Sequence, residues 1–170
     1  MSASPLARIA VGVVVERRPA TSPWIEHVWR AVNVLAGVPD VAPWTELPGE
    51  RDATTFYAGA AEVALYRSET ANYRDNLATG QPSLWVVLRP TGADPPFSVV
   101  TVTADPAEGE GFTETATDLV EAVAMPAAVV EAVAAFVAEH HVERTFQKRR
   151  RDRADPEALG RRRRTGEDIA

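Results

Sequence analysis

Alternating apolar and polar residues, in runs rich in valine and aromatic side chains, predict six strands along the chain. Between Val28 and Leu35 helical and strand periodicities compete, and the β-forming side chains favour a strand. Thr54 to Arg67 forms either one long strand broken near Gly59 or two short ones. The last segment is ambiguous, with a strand preferred. The expected strands are Ile9 to Glu16, Val28 to Leu35, Thr54 to Arg67, Ser83 to Arg89, Phe97 to Thr103 and Thr115 to Val123.

Helical periodicity is clearest from Pro126 to His141, where apolar side chains recur on one stripe that we expect to pack on a sheet. A shorter helix is predicted from Glu69 to Leu77, with Ser68 as its N-cap and Gly80 as its stop. Asp105-Pro106 can begin one more helical turn. The proline-rich stretch Pro39 to Asp52 is expected to be a loop that lies over the body of the protein.

Together these elements predict an α+β fold. We expect a mainly antiparallel sheet of about six strands, with a short middle helix and a long C-terminal helix. Ser83 to Arg89 and Phe97 to Thr103 are expected to form an antiparallel pair across the linker Pro90 to Pro96. A doubly wound parallel sheet is disfavoured, because helices of crossover length are missing between most strands.

The charge distribution divides the chain into two parts. The 170 residues suit one domain with a tail, and the formal net charge is −6. Nine basic and three acidic residues lie between Lys148 and Arg164, so this stretch carries +6 and the remainder −12. We therefore expect a single domain over residues 1–147 and an arginine-rich tail over residues 148–170. A basic tail on an acidic body suits an acidic protein partner, phosphates or the body itself.

Candidate chemistry is sparse. The chain has no cysteine, which excludes a thiolate nucleophile, a cysteine zinc site and an iron–sulfur cluster built from this chain alone. It also lacks a nucleophile elbow and the glycine patterns of nucleotide-binding loops. We therefore expect a protein that is not an enzyme, with no catalytic residues and no cofactor.

The three histidines are weak metal ligands in this arrangement. His140 and His141 are adjacent, and adjacent helical side chains point about 100° apart, so the pair does not chelate one ion as an i, i+4 pair does. His27 lies far away in the sequence. The favoured interpretation is that one histidine caps the end of the helix while the other faces the core, and no metal site is predicted.

Aromatic residues are the best candidates for a binding surface, since such side chains often anchor interfaces. Trp24 and Trp44 flank prolines in loops, where they either line an exposed groove or pack onto the sheet as structural contacts. Trp85 is expected in the core. The polar segment Arg67 to Asn76, which contains Tyr73, forms either a recognition surface or a solvated helix face. We predict that Trp24, Trp29, Trp44 and Tyr73 contact a partner.

The arginine tail is the second candidate. Arg149, Arg150, Arg151 and Arg153 are predicted to contact a partner protein. Nucleic-acid binding is the alternative, because such a tail neutralises phosphates without reading sequence. The tail lacks interleaved aromatic residues and its body is acidic, and both properties favour protein docking or plain solvation.

No segment of the sequence has the pattern of a membrane span or a cleaved signal. The apolar run Ile9 to Val15 is too short to cross a bilayer, and Glu16, Arg17 and Arg18 follow it without a small-residue cleavage pattern. We therefore expect a cytoplasmic protein.

Nine segments of the sequence are similar to those of a known family. They are Val11 to Arg17, Ser22 to Trp24, Trp29-Arg30, Phe56 to Gly59, Arg67 to Leu77, Pro82 to Arg89, Val102 to Pro106, Met125 to Phe146 and Arg149 to Pro156. Over most of its length the chain thus resembles a bacterial family of unknown function whose genes commonly lie beside those for molybdenum- or tungsten-containing formate dehydrogenases. The resemblance implies an accessory or assembly role with a molybdoenzyme subunit or maturation factor as partner, and it supplies no catalytic residues.

The combined expectation is a non-catalytic accessory protein that binds a partner protein in formate dehydrogenase maturation. Nucleic-acid binding through the basic tail is the alternative function.

Overall fold

The computed structural model describes residues 3–142, in which strands are the commonest regular structure. The α+β class is confirmed, and the predicted strands are found near their expected bounds. The strands are Ala7–Pro19 (β1), His27–Ala36 (β2), Thr45–Leu47 (β3), Thr54–Leu65 (β4), Ser83–Pro90 (β5), Phe97–Thr103 (β6) and Leu119–Ala124 (β7). The helices are Thr70–Ala78 (α1), Pro106–Phe112 (α2) and Ala127–His140 (α3), and a 3₁₀ turn, Arg67–Glu69, precedes α1.

The strands form two antiparallel sheets, so the expectation of one sheet of about six strands is wrong. The first sheet has the order β2-β1-β4-β3, and the second has the order β6-β5-β7. The division falls at the connection from β4 to β5, which contains α1. The predicted antiparallel pair of β5 with β6 is confirmed.

The two sheets approach each other along two seams. Cα atoms of β4 and β6 come within 8 Å, and so do those of β2 and β7. Sheets stacked face to face lie about 10 Å apart, so these shorter distances place strands of different sheets side by side. An ion pair of 3.6 Å between Arg30 on β2 and Glu121 on β7 crosses one seam. The strands therefore surround one core, although the seams lack the continuous ladders found inside each sheet.

Both neighbours of β1 bulge at the same level of this strand. Val32 is the extra residue of β2 opposite Val14 and Val15, and Ala58 is the extra residue of β4 opposite Val13 and Val14. Bulges bend a strand and increase its twist. The segment from Thr54 is therefore one bent strand, as the first of the two sequence interpretations has it.

Strand β1 is covered on both faces. Residues 11–15 are all buried. Val11, Val13 and Val15 belong to the central core cluster. On the other face, the ring of Pro39 and the ring of Tyr57 lie 3.1 and 3.0 Å from the point where a Cβ would stand on Gly12. The loop after β2 thus lies over the body as expected, on a site that only glycine leaves open.

Helices α1 and α3 pack beside each other against the core. The predicted stripe of α3 is confirmed, since Val129, Val133 and Phe136 are buried. Phe136 contacts the ring of Tyr73 on α1 at a centroid distance of 6.2 Å. Aromatic pairs at such distances prefer offset-stacked or edge-to-face geometry, and the 68° interplanar angle is that of an edge-to-face pair.

The C-terminal helix is shorter than expected. It spans the 14 residues Ala127–His140, and His141 has an extended backbone, so the prediction of a long helix is wrong. The ring of His141 is held by α1, with 3.1 Å between its Nδ1 and the Thr70 Oγ1. The predicted boundary between residues 147 and 148 lies outside the described residues and stays a prediction.

Asn76 is buried in α1 and links this helix to the first residue of β5 and to the residue that follows β6. Its Nδ2 donates to the carbonyl oxygens of Ser83, at 2.8 Å, and of Ala104, at 2.9 Å. Its Oδ1 accepts the backbone N–H of Ser83 at 3.0 Å. A buried amide needs its hydrogen bonds met, so Asn76 fixes the position of α1 over the sheet.

Helix α2 rests on Trp85 through a glycine. Asp105 caps its N-terminus by accepting the backbone N–H of Ala107 at 2.9 Å, which confirms the predicted start at Asp105-Pro106. A Cβ on Gly109 would stand 2.2 Å from the Trp85 Cγ. No rotation of the ring relieves a clash at its root, so α2 lies against β5 only because residue 109 has no side chain.

We expect Gly109→Ala to lower the free energy of unfolding by about 1–3 kcal/mol, the usual cost of overpacking a core contact. Gly111→Ala is the matched control on the same helix, because a Cβ there meets nothing within 4 Å. Alanine is the better helix former, so the control should leave stability unchanged or raise it by up to about 1 kcal/mol. Urea unfolding measures both variants, and equal effects would contradict the contact with Trp85.

The ionised carboxylate of Glu108 on α2 destabilises the folded state. Partial burial raises its pKa above the ordinary value, and the nearby carboxylates of Asp105 and Glu69 add to the rise. A hydrogen bond of 3.1 Å from the Thr103 Oγ1 opposes it. A pKa raised in the folded state means that ionisation of Glu108 destabilises the fold, so its cost appears as the pH rises through that pKa.

We expect Glu108→Gln to unfold at a higher urea concentration than the wild type at pH 7.5, with the difference disappearing below about pH 4. The gain should stay within about 1 kcal/mol, because solvent screens a partly exposed charge. Glu110→Gln controls for removal of one negative charge from the same helix. A Glu108→Gln variant no more stable than this control at pH 7.5 would contradict the proposed cost.

Candidate partner-binding surface

Four aromatic rings meet where the two sheets come together. The Trp29 ring lies 6.0 Å from Trp44, 5.8 Å from Phe56 and 5.7 Å from Phe97, measured between centroids. Trp44 and Phe56 are 5.9 Å apart. These rings come from β2, the loop before β3, β4 and β6, so the cluster connects the first sheet to the second.

An arginine closes the end of this aromatic cluster. The guanidinium carbon of Arg17, on β1, lies 5.7 Å from the Trp29 centroid and 5.3 Å from the Phe56 centroid. Arg17 is opposite Trp29 in the β1–β2 ladder, so the strand register places the cation between rings of the two adjacent strands. A cation over an aromatic face contributes about 0.5–1 kcal/mol at sites open to solvent.

Trp44 reaches the cluster from an unusual backbone conformation. Its φ angle is +69°, in the left-handed region that bulky residues rarely adopt. Its backbone N–H donates to the carbonyl oxygen of Tyr57. The ring contacts and this hydrogen bond hold the conformation, so Trp44 is a structural contact of the loop rather than part of an open groove.

Trp24 has the opposite environment. It lies in the turn between β1 and β2, and 90% of its surface is exposed. Ile25 beside it is 58% exposed, and Val28 and Val32 on β2 are 47% and 40% exposed. We call these four residues the Trp24 surface. Exposed large apolar side chains that follow one another closely along a turn and its adjoining strand mark interaction sites more often than isolated ones do.

Residues 10–150 match the model of a family described as a protein of unknown function, DUF3305. The chain belongs to this family. The resemblance found in the sequence is thereby confirmed as far as an uncharacterised family. The DUF3305 description names no reaction. Neither the curated proteins nor the solved structures contain a match to this chain.

Tyr73 of this DUF3305 chain lies in the core, and 1% of its surface is exposed. Its hydroxyl oxygen accepts the backbone N–H of Tyr66 at 3.0 Å. Burial raises the pKa of the phenol to about 12, so it stays protonated at neutral pH. Such burial does not fit the predicted role of Tyr73 as a partner contact, because almost none of its surface is open to a partner.

The arginines predicted to bind a partner, Arg149, Arg150, Arg151 and Arg153, lie outside the described residues. Their role stays a prediction, and so does the nucleic-acid alternative that depends on the same tail.

Within residues 3–142, no group of three or more histidine and acidic side chains could hold a metal ion. His140 packs on Phe136, with 4.5 Å between ring centroids, and His141 is bonded to α1. His27 begins β2, on a different part of the fold. In the same part of the chain, no helix has the length and apolar character to span a membrane.

The two tryptophans of the β2 region should respond differently to truncation. We expect Trp24→Ala to change the free energy of unfolding by less than about 0.5 kcal/mol, as exposed substitutions usually do. Trp29→Ala should cost about 3 kcal/mol, at the lower end for buried tryptophans because Trp29 is only partly buried. Urea unfolding of both variants measures the difference, and comparable losses would contradict the distinction between surface and cluster.

Proposed function

We propose that this DUF3305 protein is a non-catalytic accessory protein that binds a partner protein during formate dehydrogenase maturation. The partner is a molybdoenzyme subunit or one of its maturation factors. The Trp24 surface is the observation that supports partner binding.

The position of Trp24 supports a role in binding rather than in folding. Its ring takes no part in the aromatic contacts made by Trp29, Trp44 and Phe56, and 90% of it is open to solvent. An exposed tryptophan costs solubility without stabilising the domain, whereas at an interface it supplies a large, rigid contact area.

Hydrogen bonds between the two flanking strands close the base of the turn that contains Trp24. Strands β1 and β2 pair up to Pro19 and His27, and the backbone N–H of Ala20 donates to the carbonyl oxygen of Glu26 at 3.1 Å. The turn is thus closed at its base, which places Trp24 and Ile25 beyond the paired part of the two strands.

The class of partner is proposed from the sequence resemblance. Ser22 to Trp24 and Trp29-Arg30 are among the segments that resemble the family encoded beside formate dehydrogenase genes. Trp24 therefore belongs to a segment that supports the resemblance, which makes a formate dehydrogenase subunit or maturation factor the first partner to test.

The test compares the full chain with the double variant Trp24→Ser/Ile25→Ser as baits in lysate from the native host. We expect the wild type to retain a formate dehydrogenase subunit or maturation factor, identified by mass spectrometry, and the variant to retain at least tenfold less. A tenfold loss corresponds to about 1.4 kcal/mol, which is modest for a buried tryptophan anchor.

Leu6→Ser is the matched control, because Leu6 is also an exposed apolar residue, at 55%, and lies just before the opposite end of β1. It should retain the partner as the wild type does. Recovery of neither class of partner by the wild type contradicts the proposed function. Equal recovery by the double variant contradicts the assignment of the Trp24 surface.

A further inference from the structure

A pocket of about 550 Å³ lies between the C-terminal end of α1 and the start of β5. Sites for small molecules usually measure about 300–1,000 Å³, so this pocket is large enough for one. None of the described lining residues belongs to the Trp24 surface. The lining residues are Asn76, Thr79, Gly80, Gln81, Ser83 and Trp85.

Trp85 supplies the large apolar side chain of this pocket. The sequence predicts Trp85 in the core, but the structure leaves part of its surface open to solvent. It lies on β5, the central strand of the second sheet, and the root of its side chain packs against Gly109 of α2. Strand and helix together hold the indole ring in place, so it offers a fixed surface on which the apolar face of a ligand can stack.

The rest of the lining is polar but uncharged. Besides Trp85, the described lining residues carry two side-chain amides and two hydroxyl groups, and the remaining one is a glycine. Charged residues make up 25% of the chain, so a described lining without any of them is a local exception. A ligand ion would meet no side chain of opposite charge in this lining. The pocket therefore suits a neutral ligand that forms hydrogen bonds.

Hydrogen bonds fix the two walls of the pocket relative to each other. The side chain of Asn76 on α1 donates to the Ser83 carbonyl oxygen at 2.8 Å and accepts the Ser83 backbone N–H at 3.0 Å. The Thr79 hydroxyl oxygen accepts the backbone N–H of Gln81 at 3.3 Å. The Ser83 hydroxyl donates to the Gln81 carbonyl oxygen at 3.2 Å. The pocket is thus formed before a ligand arrives, which lowers the entropic cost of binding.

Two polar groups of this lining are left for a ligand. Within residues 3–142, neither the side-chain amide of Gln81 nor the indole N–H of Trp85 has a hydrogen-bond partner. Solvent reaches both groups, because Gln81 is exposed and every solvent-inaccessible polar side-chain atom of the described residues has a partner. An amide both donates and accepts, and an indole N–H donates. A ligand with hydroxyl groups can meet both.

We propose that this pocket binds a neutral sugar. The C–H bonds on one face of a sugar ring pack on the indole of Trp85, and the hydroxyl groups at its edge bond to the Gln81 amide. A nucleotide would bring phosphates to a lining without a cation, and a hydrocarbon would leave the amide without a partner. This site is separate from the Trp24 surface, so either proposal can fail without the other.

The test uses the full chain and saturation-transfer NMR, with the methyl glycosides of glucose, galactose, mannose and N-acetylglucosamine as probes. We expect saturable binding of at least one probe, with a Kd of about 1–10 mM, as suits a ligand of about a dozen heavy atoms. The transferred signal should be strongest for the C–H protons of one ring face, because that face lies on Trp85. Absence of saturable binding by all four probes overturns the proposal.

Gln81→Ala is the decisive variant, because Gln81 is exposed and its amide supports no other described residue. Loss of one neutral hydrogen bond should raise the Kd of the bound probe roughly three- to tenfold. Asn33→Ala is the matched control, since it removes an exposed amide on β2, outside the pocket, and should bind as the wild type does. Unchanged binding by Gln81→Ala, or an equal loss in the control, contradicts the site.

Trp85→Phe tests the stacking surface. Phenylalanine keeps a ring against Gly109 but presents a smaller face and no N–H, so we expect a further rise in Kd. Urea unfolding checks that the variant is folded. A folded Trp85→Phe variant that binds as tightly as the wild type contradicts stacking on the indole. Gln81→Ala decides the proposal even if Trp85→Phe unfolds.

Competition against the bound probe checks the class of ligand. Glucuronate differs from glucose by one carboxylate, and it should compete no better than glucose because the lining offers no cation. Cyclohexylmethanol has a similar ring without the ring hydroxyls, and it should not compete at the same concentration. Stronger competition by glucuronate contradicts a neutral site, and equal competition by cyclohexylmethanol contradicts recognition of a sugar.

Discussion

The burial of β1 on both faces is the constraint from which the rest of the fold follows. Residues 11–15 are all buried, whereas a strand with one face open to solvent would have only every second residue buried. One face needs a second layer, which the β6-β5-β7 sheet and α3 supply. The other face needs a separate cover, which the loop after β2 supplies through Pro39 and Gly12. The core and the loop after β2 therefore cover the two faces of the same valine-rich strand.

The same strand determines where function can be sought. Its 13 residues are longer than the buried run, so each end extends past the covered middle. At one end the turn with Trp24 projects beyond the aromatic cluster, and at the other end Leu6 borders a cavity of about 1130 Å³ that residues of α1 and the end of α3 also line. Arg17 packs on the rings of Trp29 and Phe56, so Trp29 is held within the cluster while Trp24, five residues earlier, stays exposed.

Strand positions could be predicted from the sequence because β-branched runs bounded by turn residues are local signals. Their division into two sheets could not, because it depends on bulges at Val32 and Ala58 and on seams between distant strands. The strand β3 was not predicted, because its three residues are too few to form a pattern and lie within a proline-rich loop. It follows Trp44, whose left-handed backbone no sequence rule anticipates for a tryptophan.

Only part of the candidate site could be predicted from the sequence. Trp29 and Ala31 lie on the same face of β2, on either side of the exposed Arg30, and this strand pattern distinguishes Trp29 from Trp24 in the turn. The burial of Tyr73 and Asn76 could not be predicted, because both residues lie in a strongly polar segment that is typical of an exposed helix face. Asn76 is satisfied by backbone atoms of Ser83 and Ala104, and pairings over such separations leave no local pattern. The cavity likewise combines residues 4, 67, 74 and 141, which no spacing rule connects.

One consequence of the cavity concerns the two limits of the described fold. Ala3 and Val142 both line it, so segments from before β1 and from after α3 border the same space. Substitutions at these two places therefore alter one shared surface, although the whole described fold separates them along the chain.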